Sequence, residues 1–209
     1  MIMKRKKLLV SGLLAVTTGI ILMACSSDAR SPRLAGDAVI LAFGDSLTFG
    51  TGATATESYP AILERRVGRR VVNSGIPGEV TGEGLSRLPG VLEREKPALM
   101  ILCHGGNDLL RRLDRRQIAG NLRAMVRLAQ ERGAAVVMIA VPSPGIALSP
   151  PSFYRETAEE MKIPIEEKAL AAVLSEGSLK SDYIHPNAAG YRRLAESVAA
   201  LLKKSGAVE

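Results

Sequence analysis

Short, uncharged apolar runs alternate with amphipathic stretches along the chain. The runs are Ala38-Val39-Ile40-Leu41-Ala42-Phe43, Val71-Val72, Ala98-Leu99-Met100-Ile101-Leu102-Cys103 and Ala135-Val136-Val137-Met138-Ile139-Ala140-Val141, with a weaker one at Ile163-Pro164-Ile165. Continuous apolarity over so few residues predicts strands buried on both faces of a parallel sheet. Between them Ile118, Leu122, Met125, Val126 and Ala129 share one helical face, as do Tyr191, Leu194, Val198, Leu201 and Leu202 in the last segment. Strands alternating with helices predict an α/β fold with a mostly parallel sheet. In such sheets sites form beyond the carboxyl ends of the strands, which is where the unusual polar residues of this chain fall.

The N-terminus follows a different pattern. Lys4, Arg5, Lys6 and Lys7 precede an uncharged apolar run from Leu8 to Met23, the layout of a secretory signal. Its end, Leu22-Met23-Ala24-Cys25, resembles the bacterial lipobox, which implies lipidation of Cys25 and a membrane-anchored mature protein. The alternative, a single transmembrane anchor, is disfavoured because the run is shorter than the roughly 18 to 20 residues a span prefers. Residues 1–24 are thus expected to be a lipoprotein signal peptide and 25–36 the lipidated cysteine with a Ser-, Pro- and Gly-containing tether. Residues 37–209 are expected to form one domain. Ser26 after Cys25 implies the periplasmic face of an outer membrane, given a host with two membranes.

Charge and cysteine content narrow the function. The formal charge of +7 falls to +3 once the four basic residues of the signal leave without any acid. No basic stripe with stacking aromatics remains, so no nucleic-acid partner is expected. With Cys25 assigned to lipid, Cys103 has no intrachain partner. Two histidines and one thiol are too few for a zinc cluster.

Four polar segments carry candidate chemistry. Gly44-Asp45-Ser46-Leu47-Thr48 follows the first run and exposes a serine at a strand end. A serine hydroxyl needs a general base to act as a nucleophile, and otherwise Ser46 merely caps a helix. Asp182-Tyr183-Ile184-His185 precedes the last helix. A carboxylate three residues before an imidazole can hold its Nδ1 proton and leave Nε2 free to accept one, and the competing reading is a helix-start motif. Cys103-His104-Gly105-Gly106-Asn107-Asp108 offers an Asn amide for a developing oxyanion, or is simply a glycine-rich turn. His104 is the competing base, but no Asp lies at a comparable upstream spacing. In Asn73-Ser74-Gly75-Ile76-Pro77-Gly78, Gly75 is a candidate second backbone donor. The Val141 to Phe153 segment, apolar and interrupted by prolines, reads either as a wall of an acyl pocket or as a stiff structural loop.

Gly44-Asp45-Ser46, Gly75, Gly105-Gly106-Asn107-Asp108 and Asp182-Tyr183-Ile184-His185, in this order, resemble the four signature blocks of the SGNH (GDSL-type) hydrolases. Ser58-Tyr59-Pro60-Ala61-Ile62-Leu63 and Gly84-Leu85-Ser86-Arg87-Leu88-Pro89 are similar to the bacterial arylesterase and thioesterase I-like branch. Pro77 and Glu79 stand where the family more often has Ser and Asp. The resemblance implies a flavodoxin-like three-layer α/β/α sandwich with a five-stranded parallel sheet in the order 2-1-3-4-5. It further implies a Ser46, Asp182, His185 triad and an oxyanion hole from the Ser46 and Gly75 N–H groups and the Asn107 side chain. It implies no metal or cofactor. The expected activity is that of a serine esterase, acting on small acyl esters or thioesters through an acyl-enzyme on Ser46. The alternatives are an O-acetylesterase acting on envelope polysaccharide and a non-catalytic lipid-binding lipoprotein.

Overall fold

The computed structural model describes residues 29–145 and 148–209. The predicted signal, Cys25 and the first part of the tether lie outside them, as does Ile146. Five strands, β1 (Ile40–Gly44), β2 (Val71–Gly75), β3 (Leu99–Cys103), β4 (Ala135–Ile139) and β5 (Ile165–Glu166), form one sheet in the order 2-1-3-4-5. Every pairing is parallel.

Burial explains which strands were easiest to see. β1 and β3 lie inside the sheet and are buried at every residue, so each reads as an unbroken apolar run. β2 is an edge strand and only partly buried, and its second half, Asn73-Ser74-Gly75, carries no hydrophobic signal. β5 shrinks to two residues on the other edge. β4 ends at Ile139, two residues before its apolar run does.

Helices cover the sheet: α1 (Ser46–Phe49), α2 (Tyr59–Val67), α3 (Thr81–Glu95), α4 (Gly106–Leu110), α5 (Arg115–Glu131), α6 (Ser152–Met161), α7 (Ala169–Ser175) and α8 (Ala188–Ser205). The predicted stripe of α5 is buried throughout, and in α8 Tyr191, Leu194, Val198 and Leu202 are buried while Leu201 is only partly so. The stretch read as tether is not free along its whole length. Ser31 donates to the Ser205 carbonyl, Leu34 donates to that of Ala207, and the Leu34 side chain is buried in the core.

Registration places the site. Gly44 pairs with both Gly75 and Cys103, so β1, β2 and β3 end level. The segments after them, beginning near Ser46, Ile76 and His104, therefore emerge along one edge of the sheet.

Candidate active site

Ser46 opens α1 immediately beyond β1. Asp45 caps this short helix, its Oδ1 accepting from the Leu47 N–H at 3.0 Å. That bond fixes the turn on which the Ser46 hydroxyl projects. Asp45 itself is buried, and burial pushes its carboxyl above the ordinary range. The nearby His104 ring and the Leu47 and Gly106 amides only partly offset this.

His185 comes from the opposite end of the chain. Asn187 caps α8 by accepting from the Gly190 N–H, and its Nδ2 donates to the Ser178 carbonyl at 2.8 Å. The Tyr191 hydroxyl donates to the Thr51 carbonyl at 2.8 Å, tying α8 to the loop after α1. Across that junction His185 Nε2 lies 3.0 Å from Ser46 Oγ. Its Nδ1 lies 2.8 Å from Asp182 Oδ2, while Asp182 Oδ1 accepts from the Ile184 and His185 amides at 2.8 and 2.9 Å. Partial burial raises the Asp182 pKa, but the bond from His185 and the two amides outweigh it and leave the carboxyl below its usual range. An ionised Asp182 favours a proton on Nδ1, which leaves Nε2 as the acceptor facing Ser46.

Asn107, the second residue of α4, lines the same cleft as Ser46 and His185. Its Nδ2 donates to the Glu79 carbonyl at 3.0 Å. An amide nitrogen carries two protons, so one N–H remains for a ligand.

Gly75 requires a correction. Its N–H donates to Asn73 Oδ1 at 3.0 Å, and an added Cβ would stand 2.1 Å from the Phe49 nitrogen and 2.7 Å from the Asp45 carbonyl. Gly75 therefore lets α1 pack on the end of β2, and its amide is already engaged. Gly78, in the following turn, has a φ of +81°. Its N–H donates to no group among the described residues, and its carbonyl accepts from Arg111 Nη2 at 2.9 Å. The signal for it was present in the sequence: Pro77 and Glu79, the two departures from the family block, flank Gly78 and not Gly75.

Behind this turn lies a buried network that the sequence did not reveal. Arg87 donates to Glu79 through Nε at 2.5 Å and Nη2 at 2.7 Å, and to the Ser74 hydroxyl and carbonyl at 2.8 and 2.9 Å. His104 Nε2 meets Glu79 Oε2 at 3.0 Å, and its Nδ1 accepts from the Gly105 N–H. Burial raises the Glu79 pKa, but the His104 and Arg87 bonds reverse that, holding the carboxyl below its usual range. Beside it Asp108 accepts from both the amide and the hydroxyl of Thr81 at 2.9 and 2.5 Å, fixing the start of α3 on α4. His104 is fully buried and sealed from the cleft. Cys103 is buried too, and burial together with the nearby Asp45 pushes its thiol well up, away from nucleophilic use.

The cleft has a volume of about 310 Å³. Leu47, Leu110, Val141, Pro142, Leu148 and Leu174 provide much of its lining, so the first part of the proline-punctuated segment does form a wall. Phe153, at the other end of that segment, is instead buried in α6. Among the described residues no three His, Cys, Asp or Glu side chains gather closely enough to hold a metal ion.

Residues 42–193 match the model of the GDSL-like lipase/acylhydrolase family. The chain is 32% identical to "Esterase TesA" of Pseudomonas aeruginosa over 88% of its own length and 97% of the relative's. It is 29% identical to "Thioesterase 1/protease 1/lysophospholipase L1" of Escherichia coli K12, over 74% of this chain and 78% of that one. The crystal structure of TesA superposes with a TM-score of 0.74 at 33% identity, covering 80% of this chain and 99% of that one. The chain belongs to the GDSL-like lipase/acylhydrolase family of ester-hydrolysing serine hydrolases.

Proposed function

We propose that Ser46 is the nucleophile of an esterase that also accepts thioesters, with His185 as general base and Asp182 as its orienting carboxylate. The observation that carries this reading is the unbroken proton path of 2.8 and 3.0 Å from Asp182 through His185 to Ser46. Ser46 Oγ attacks the acyl carbonyl as its proton passes to Nε2. The carbonyl oxygen becomes an oxyanion held by the Ser46 and Gly78 N–H groups and the Asn107 amide. His185 then protonates the departing alcohol or thiol, leaving an acyl-enzyme. Water gives its proton to His185 and attacks the acyl carbon, and collapse of that second oxyanion returns the proton to Ser46 and releases the acid.

The substrate class follows from the cleft and from the relatives. Beside the polar groups at its centre the walls are aliphatic, which suits an acyl chain better than a hydroxyl-rich sugar and favours this reading over polysaccharide deacetylation. The named relatives are an esterase and a thioesterase. The volume lies at the small end of ligand clefts, favouring short and medium acyl groups. A fluorophosphonate probe tests the nucleophile: it labels the wild type and spares Ser46→Ala, and equal labelling of both refutes the assignment. Export with lipid attachment at Cys25 belongs to the same proposal, supported by the order of basic, apolar and lipobox segments. Cys25→Ser would then abolish incorporation of labelled fatty acid, and undiminished incorporation refutes the anchor.

A further inference from the structure

The large apolar side chains that stand exposed among the described residues are Phe49, Ile76, Leu110, Leu113 and Tyr183, from 42% exposed at the two leucines to 91% at Tyr183. Isolated exposed apolar residues need no explanation, but concentration on one face marks an interaction site. These five fall on one edge. Phe49 ends the helix that Ser46 begins, Ile76 follows β2, Leu110 and Leu113 follow β3, and Tyr183 sits between Asp182 and His185. Leu110 and Tyr183 line the cleft itself.

The same edge is basic. Arg111, Arg112, Arg115 and Arg116 are all exposed, and none forms an ion pair among the described residues. The bond from Arg111 to the Gly78 carbonyl holds the Leu110–Leu113 turn against the turn that follows Ile76. Three exposed acids lie nearby and keep their charge, against the four arginines. Asp114 accepts from the Arg116 amide, Glu83 from the Val80 amide, and Asp182 from the His185 turn.

We propose that this edge docks on an anionic lipid surface, the apolar side chains entering the interface and the arginines meeting the head groups, so that the cleft opens onto lipid. Exposed apolar groups and unpaired cations interleaved within seven residues are what such a surface selects. A soluble polyanion would use the arginines and leave the leucines unexplained.

This docking is distinct from attachment by the N-terminus. α8 starts three residues after His185 and runs 18 residues, about 27 Å, to Ser205, where Ser31 is bonded. Ser31 therefore lies at the opposite pole from the cleft. With the lipid attachment proposed above at Cys25, the six residues from Cys25 to Ser31 reach at most roughly 20 Å, less than the length of α8, so that anchor does not by itself lay this edge flat on its leaflet.

The proposal goes beyond the hydrolase reading, and its test reads position without turnover. The chain contains no tryptophan, so Leu113→Trp and, at the opposite edge, Arg132→Trp are single fluorescent reporters in the full chain. With vesicles of phosphatidylcholine and phosphatidylglycerol, Leu113→Trp shifts to the blue and is quenched by brominated lipid, while Arg132→Trp is unchanged. Adding Arg112→Gln, Arg115→Gln and Arg116→Gln to the Leu113→Trp chain weakens vesicle binding about 100-fold and leaves turnover of a soluble aryl ester intact. Equal responses from the two reporters would mean attachment through the N-terminal segment alone and would overturn the proposal. So would an equal shift with pure phosphatidylcholine, or a shift with soluble polyphosphate as large as with vesicles.

Discussion

The protein has two histidines, each hydrogen-bonded to a carboxylate, and their surroundings are opposite. His185 and Asp182 are 2.8 Å apart on a turn where Asp182 is half exposed, and the free ring nitrogen faces a serine hydroxyl. His104 and Glu79 are 3.0 Å apart but sealed under the site, with Arg87 completing the set. Both pairs leave the carboxylate more acidic than usual. The difference is what the second ring nitrogen meets. In one pair it is a hydroxyl at an open cleft, in the other the neighbouring Gly105 amide. Proton transfer requires access as well as basicity, so the buried pair is suited to holding a turn and the open pair to chemistry.

The largest expected contrast is catalytic. Ser46→Ala or His185→Ala lowers kcat/KM by about 10⁴ to 10⁶-fold without altering thermal stability by more than a few tenths of a kcal/mol. Loss of only tenfold in either would show that the open pair does not carry the reaction. Asp182→Asn follows, at about 10² to 10⁴-fold, because an amide can donate to Nδ1 and so favour the tautomer that no longer accepts from Ser46. Single-turnover hydrolysis of an aryl ester reads both.

The two pairs also differ in how far the sequence revealed them. Strands β1 and β3 announced themselves because burial on both faces removes every polar residue, and the polar segments just beyond them then had to be site or turn. The open pair was legible for a local reason: Asp182 and His185 are three residues apart, and their bond closes within one turn. The buried network was not legible, because Glu79, Arg87 and His104 come from a loop, a helix and a strand end, and only the packing of α3 on the sheet brings them together. Gly75 misled for the same kind of reason. A glycine at a strand end signals close approach, but whether its amide is free depends on the Asn73 side chain two residues earlier.

Asn107→Ala probes the junction of the two regions, since one amide proton is bonded to the Glu79 carbonyl and the other is left for substrate. Loss of one oxyanion donor lowers kcat by about 10² to 10³-fold with KM little changed. A change confined to KM would remove Asn107 from the transition state. Glu79→Gln should show the reverse profile, destabilising by about 3 kcal/mol because Arg87 is left without its charge partner, while kcat falls much less. Its acid sensitivity follows from the depressed pKa. The ionised Glu79 stabilises the fold above the ordinary carboxyl range and loses that contribution as pH falls through its lower folded value. Thermal melts of the wild type from neutral pH downward should therefore fall more steeply than those of Glu79→Gln, and parallel curves would show that Glu79 is not held ionised by its partners.

The smallest effect is expected at Gly78, the second donor proposed above, in the turn that follows Ile76. Alanine keeps the N–H, and an added Cβ meets no atom within 4 Å, so nothing clashes. The backbone at φ +81° nonetheless disfavours any side chain, a strain of about 1 kcal/mol. Gly78→Ala should lower stability by about that much and slow turnover less than tenfold, since the amide survives and only its placement is perturbed. Gly75→Ala should behave differently: its Cβ would collide with the backbone of Phe49 and Asp45, so it displaces α1 and with it Ser46. If instead Gly78→Ala lost stability but kept turnover unchanged, placement of the Gly78 amide would not govern turnover. The assignment of Gly78 as the second donor would then fail while the Ser46 and His185 pairing stood.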